Sequence, residues 1–153
     1  MQSLRRYGLS FYDKVTGHKI MQRLDELKRT QWLSADELKA LQMRRLQSLL
    51  EYAHTHVPYY QRVFDEVGFR PADFAKDPDS FRKIPPVSKA YMRVHAEEFL
   101  TVDPDKRERM SRDATSGSTG EPFAFWEDHY TQDYAVANTI RHHTWCGWQL
   151  GQP

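Results

Sequence analysis

The sequence predicts an α/β protein, α+β as it stands: a helix-rich N-terminal half, a short β-hairpin carrying a polar loop, and a C-terminal helix. Three observations carry this. Leucines recur near the 3.6-residue period behind Ser34 and Glu37. Prolines 71, 78, 85 and 86 break the middle of the chain into short pieces. A hydroxyl- and glycine-rich run, 115–122, stands between two segments with strand character, and Asp128 then opens a last helical stretch.

The elements follow in order. Ile20, Leu24 and Leu27 lie at helical spacing, which predicts helix from Phe11 to about Arg29, weakened in its first half by Gly17. Ser34 and Glu37 read as a capping box, each side chain satisfying an orphan N–H of the first turn. Leu38, Leu41, Leu46, Leu49, Leu50 and Ala53 continue that helix as an apolar stripe. Pro58 pushes Val57 out of α geometry and then serves as the first residue of a helix running to Val67, stopped by Gly68. Between Phe69 and Pro86 the prolines leave turns and one-turn helices, tied down by Phe74, Phe81 and Ile84. Ser88 caps a helix through about Phe99; Asp103 to Asp105 read as a turn and Lys106 to Arg109 as a solvated link. Strands are expected at Met110 to Thr115 and Phe123 to Trp126, then a helix from Asp128 to about Cys146 with Gly147 as its stop. The organisation is a single partial domain over 1–153, mainly helical over 1–105, with the loop hairpin and a helix over 106–153.

At 153 residues the chain is long enough for one domain with a real core, and 39 % hydrophobic with 28 % charged residues suits a globular protein. A formal net charge of +1 gives no electrostatic case for nucleic acid or an anionic membrane. Cys146 is the only cysteine, so no internal disulfide forms and a reducing compartment is favoured. No run nears the roughly 20 apolar residues of a membrane span. The expectation is a soluble, cytoplasmic protein.

The stretch Thr115-Ser116-Gly117-Ser118-Thr119-Gly120-Glu121-Pro122 makes little sense for structure alone, because it holds no apolar side chain to bury. Glycine permits positive φ and close approach of the backbone to a ligand. Successive N–H groups in such a turn form an anion-binding concavity, to which hydroxyls add donors. A flexible Ser/Gly turn is the bland alternative. The Walker pattern is excluded, since no GxxxxGK[ST] spacing occurs.

At these residues the sequence resembles the phosphate-binding signature of the acyl-adenylate-forming (AMP-binding) superfamily. Three further segments narrow the resemblance to its phenylacetate–coenzyme A ligase-like branch, which includes relatives in capsule and exopolysaccharide biosynthesis clusters. These are Arg29 to Ser34, Leu46 through Tyr60 with Phe64 to Gly68, and Ile84 to Lys89, continued at Gly147-Trp148-Gln149. The resemblance implies ATP and Mg²⁺ as cofactors and a carboxylic acid and coenzyme A as partners. In that chemistry the carboxylate attacks the α-phosphate, pyrophosphate leaves, and the acyl-adenylate passes to a thiol. By similarity, Thr115, Ser116, Gly117, Ser118, Thr119 and Gly120 map onto the loop around the β- and γ-phosphates. No catalytic residue and no metal ligand is assigned.

Relatives often carry lysine after the second glycine or just past the proline, where this chain has Glu121 and Phe123. A carboxylate there opposes a polyphosphate unless it points away or meets a cation. The resemblance covers only the N-terminal part of such enzymes, so the expectation is an incomplete portion of their large N-terminal domain, inactive alone. An open strand edge and an uncovered apolar face are expected with it. The reading from a different class is a non-catalytic helical module that forms a homo-oligomer or binds a partner chain through that face.

Other constellations read as structure. His54 and His56 are about 200° apart on a helix and cannot share a metal. His142 and Cys146 are four apart, but two ligands are too few for zinc, and packing is the better account. The acids from Asp128 to Asp133 read as charge complementing a helix N-terminus. Tyr52, Tyr59, Tyr60, Phe64, Phe69, Phe74 and Phe81 read as core.

Overall fold

A computed structural model of the chain describes residues 2–117 and 120–150, with side chains from residue 8 onward. The described residues form seven α-helices, several 3-10 turns and one two-stranded antiparallel sheet, bearing out the α+β expectation. They divide into two compact units. One comprises the residues up to Ala35 together with those from Glu127 onward; the other is Asp36–Trp126.

The first unit holds α1 (Gln2–Thr16), α2 (Ile20–Thr30) and α7 (His129–Trp145). The single helix expected from Phe11 to Arg29 is in fact two. Gly17 sits at φ +78°, its N–H still donating to Asp13 O at 3.0 Å, and that left-handed residue ends α1. Packing of α2 on α7 builds a small core of Ile20, Leu24 and Ala137, flanked by Leu9, Met21, Leu27 and Ile140.

Asp133 is the feature of this unit that spacing alone misassigns. Expected only as charge complementing the helix N-terminus, it lies buried, 2 % exposed, with specific partners. One carboxylate oxygen accepts from His18 Nδ1 at 2.6 Å and the other from the Lys19 N–H at 2.8 Å. Helix α7 therefore satisfies backbone and side chain in the link that α1 and α2 leave open. The imidazole of His18 stacks with His129 at 4.1 Å between centroids and with Tyr12 at 5.5 Å. Asp13 closes the same link by accepting from the Met21 N–H at 2.9 Å. Asp128, as expected, caps α7 through the Thr131 N–H at 2.9 Å.

The Asp36–Trp126 unit is built on α3 (Ala35–His56) and α4 (Pro58–Glu66), with Pro58 in the first turn of α4 as its fixed φ favours. Gly68, at φ +63°, turns the chain so that the Phe69 N–H reaches Phe64 O at 2.9 Å. Phe64, Phe69, Phe74 and Leu50 then meet in one core, with Met43, Leu46, Tyr60, Val67 and Ile84 packed against it. Phe64 and Phe69 stand edge to face at 4.8 Å. Phe81 departs from the core role, 42 % exposed within the turn Pro78–Lys83. The leucine stripe is split as well: Leu50 and Ala53 are buried, whereas Leu38 and Leu49 face outward, 52 % and 61 % exposed.

Beyond the prolines, Ser88 caps α5 (Lys89–Val94) by accepting from the Tyr91 N–H at 3.1 Å. The helix expected through Phe99 breaks at His95 and resumes as a 3-10 turn, Ala96–Phe99, whose Phe99 stacks on buried Tyr59 at 4.2 Å. The turn expected at Asp103 to Asp105 is the capped start of a one-turn helix, α6 (Pro104–Arg107), which takes in the first half of the expected Lys106–Arg109 link, whose residues are exposed. Arg62 hydrogen-bonds Glu98 at 3.1 Å, and that contact first, then His95, holds the Glu98 carboxyl below its ordinary range. Strands β1 (Ser111–Ala114) and β2 (Ala124–Glu127) complete the hairpin, one residue off the expected bounds.

Replacing Asp133 by alanine would orphan the His18 Nδ1–H and the Lys19 N–H together, so Asp133→Ala should lower unfolding stability by about 2–4 kcal/mol. Urea denaturation followed by circular dichroism measures this, and Asp133→Asn, which keeps the shape, should lose less.

Candidate functional site

The loop between β1 and β2 is a closed turn whose shape its glycines decide. The Thr115 N–H donates to Phe123 O at 3.0 Å, extending the ladder one step past the strands. The Thr115 hydroxyl oxygen accepts from the Phe123 N–H, also at 3.0 Å, and latches the mouth of the loop. Within it, the Gly120 N–H donates to Gly117 O at 2.9 Å. The two residues spanned by that bond, Ser118 and Thr119, lie outside the described residues.

Gly117 cannot be another residue without disturbing this turn. Its φ is +68°, and a Cβ there would lie 2.8 Å from Gly120 O and 3.0 Å from the Pro122 ring. Gly120 needs its φ of +146° but has open space around it. Ser116 is exposed. Of the six site residues expected, the structure thus describes Thr115, Ser116, Gly117 and Gly120 at one hairpin end. Thr115 and Gly117 shape the loop, and Ser116 is exposed at it.

Sequence reasoning missed the residue that meets Glu121. Arg93, near the end of α5, donates through Nη2 to Glu121 O at 2.8 Å, and its Nη1 lies 3.5 Å from the Glu121 carboxylate. The carboxylate that follows the second glycine therefore meets a cation. No sequence signal marks this, because the partners are 28 residues apart.

The remaining candidates fall where packing puts them. His54 Nε2 lies 3.1 Å from Asp65 Oδ1, and His56 sits against the Tyr52 ring at 4.6 Å. His142 contacts Trp145, while Cys146 is exposed and so not packed in the core. Among the described residues, no group of three or more His, Cys, Asp or Glu is placed to hold a metal. No helix of the described residues is long and apolar enough to cross a membrane. A second surface feature lies on α3, where Leu38, Leu41, Leu46 and Leu49 with Gln42 and Arg45 line an open groove.

No family model matches the chain. Curated relatives do. The chain is 39 % identical over 89 residues to the phenylacetate–coenzyme A ligase of Escherichia coli, a stretch covering 58 % of this chain and 20 % of that protein. It is 37 % identical over 91 residues to the ligase of the same name from Thermus thermophilus, covering 59 % and 20 %. To that of Aromatoleum evansii it is 35 % identical over 112 residues, covering 71 % and 25 %. The matched stretch thus spans a fifth to a quarter of these relatives, in their N-terminal part. Over that stretch the chain is similar to the N-terminal part of phenylacetate–coenzyme A ligases.

Gly117→Ala should open the turn at a local cost of about 1–3 kcal/mol. Amide exchange at Thr115 and Phe123 should accelerate, whereas Gly120→Ala, strained in φ but unobstructed, should disturb these amides less.

Proposed function

We propose that this chain supplies the phosphate-holding loop of an ATP-dependent, acyl-adenylate-forming carboxylate–coenzyme A ligase-like protein. The observation that carries it is Gly117: a left-handed glycine whose missing Cβ keeps a hydroxyl-rich, strand-flanked turn closed on itself. The named activity of the relatives supports the reaction class.

The described residues fit terminal phosphates. Thr115 and Ser116 bring hydroxyls to one hairpin end, and the glycines bring backbone close to a ligand. When bound, ATP supplies the α-phosphate for attack by a carboxylate, with pyrophosphate as leaving group. The chain's part in that reaction is grip and orientation of the outer phosphates, which lowers the entropic share of the barrier. Ser118 and Thr119 belong to the same proposed cradle. The acid substrate, coenzyme A and Mg²⁺ are engaged by other parts of the ligase, so these 153 residues alone hold phosphate without turnover. The setting proposed is the cytoplasm, where an exposed lone Cys146 stays reduced.

Calorimetric titration of the chain with Mg-ATP and with tripolyphosphate should show binding at about 1 mM or tighter. Absence of heat with both ligands would sink the reading. Grafted in place of the matched stretch of the Escherichia coli ligase, the chain should support carboxylate-dependent pyrophosphate exchange.

A second reading rests on the outward leucines of α3, whose burial by a partner would relieve an exposed apolar face. In it the chain is a non-catalytic helical module that self-associates. Sedimentation should then show a dimer that Leu49→Glu dissociates; a compact wild-type monomer counts against it.

A further inference from the structure

We infer that Arg93 is the positioning residue that makes this loop compatible with a polyphosphate, by neutralising Glu121 and fixing the loop's exit. The inference rests on the phosphate-loop reading above and deepens it.

A carboxylate one residue past the second glycine stands next to the turn that Gly120 closes onto Gly117 at 2.9 Å. A negative charge at that position repels any ligand with several phosphate charges, and little screening intervenes over a few ångströms. Arg93 answers this in two ways at once. Its Nη2 donates to the Glu121 carbonyl at 2.8 Å, which tethers the loop backbone to α5. Its Nη1, 3.5 Å from the carboxylate, places a permanent positive charge beside the acid.

The two contacts need a planar fork: one nitrogen on the backbone and another toward the side chain of the same residue. Lysine carries a point charge and cannot serve both with the same directionality. The anchor is itself held, because Ser88 caps the short helix that carries Arg93 through the Tyr91 N–H at 3.1 Å. Arg93 is half-exposed and Glu121 more open still, 40 % against 85 %. As stabilisation of the fold the ion pair therefore counts for little. Its consequence is local: the charge that an incoming phosphate meets at the loop exit is cancelled in place.

Binding of tripolyphosphate to the chain at low ionic strength separates this from a purely structural contact. Arg93→Gln should weaken binding about tenfold, the scale of one charge contact near a protein surface. Glu121→Gln in the wild-type background should leave binding equal or tighter. Combining the two changes should return affinity to within about threefold of wild type, because the charge to be neutralised has gone. Arg93→Lys should fall between wild type and Arg93→Gln. Thermal midpoints should agree across the series, as expected for exposed positions, and the Glu121→Gln rescue compares two proteins that both lack Arg93. Equal binding by wild type and Arg93→Gln overturns the inference, as does a double variant as weak as Arg93→Gln alone. If wild type binds neither tripolyphosphate nor Mg-ATP, the phosphate-loop reading fails and this inference falls with it. If wild type binds and the variants do not separate, the inference alone fails.

Discussion

Phe64 is the side chain around which the Asp36–Trp126 unit is assembled. It is 1 % exposed and meets Leu50 of α3, Phe69 and Phe74 beyond the Gly68 turn, and Tyr60 one turn earlier on its own helix. A proline-broken segment has few backbone hydrogen bonds to define it, so aromatic burial must supply its order. The 3-10 turn at Pro71–Asp73 shows how this works. Phe74 anchors it in the core, and Gln47 of α3 donates to Pro71 O at 2.6 Å. Without that apolar centre the segment from Phe69 to Pro86 would have no reason to adopt one path.

The other unit is specified by a polar group instead. A core of Ile20, Leu24 and Ala137 is small, and three helices can slide over so few apolar contacts. The buried carboxylate of Asp133 limits that freedom, because its two oxygens are taken up by the His18 imidazole and the Lys19 N–H. Satisfied buried polar groups give register where apolar burial gives only adhesion. Arg23, lying over the Tyr130 and Tyr134 rings at 4.6 and 5.1 Å, and Tyr134, donating to Glu26 at 2.5 Å, extend the same polar seam along α2 and α7.

The proposed function depends on a loop with almost no packing of its own. Its shape comes from a few local bonds: the Thr115 N–H and hydroxyl each paired with Phe123, and one turn bond between the glycines, with no room for a Cβ at Gly117. Such a loop is cheap to hold and open to a ligand, which is what an anion cradle requires. Glu121 looks like a mismatch for that role until Arg93 is placed beside it. The helix that brings Arg93 there is short and exposed, so its contribution is a charge delivered to one place and not a share of the core.

Much of this was legible in the residues. Local stereochemistry dictated the Pro58 start of α4, the Ser88 and Asp128 caps, the Gly68 and Gly147 turns and the loop between two strands, since each depends on neighbours within a few residues. The ligase-like class was legible for the same reason, because its motifs are contiguous. What periodicity could not resolve was which side of a helix finds a partner. Leu38 and Leu49 share a stripe with Leu50 yet stay exposed, and Asp133 lies in the same first turns of α7 that Asp128 caps yet is buried. The sequence by itself determined the local starts and stops at Pro58, Gly68, Ser88, Asp128 and Gly147 and what the loop is made of. Only the tertiary structure decided that Asp133 would lock His18 and Lys19, and that Arg93 would meet Glu121. Those contacts join residues 115, 114 and 28 positions apart, and only the folded chain brings such distant groups within hydrogen-bond reach.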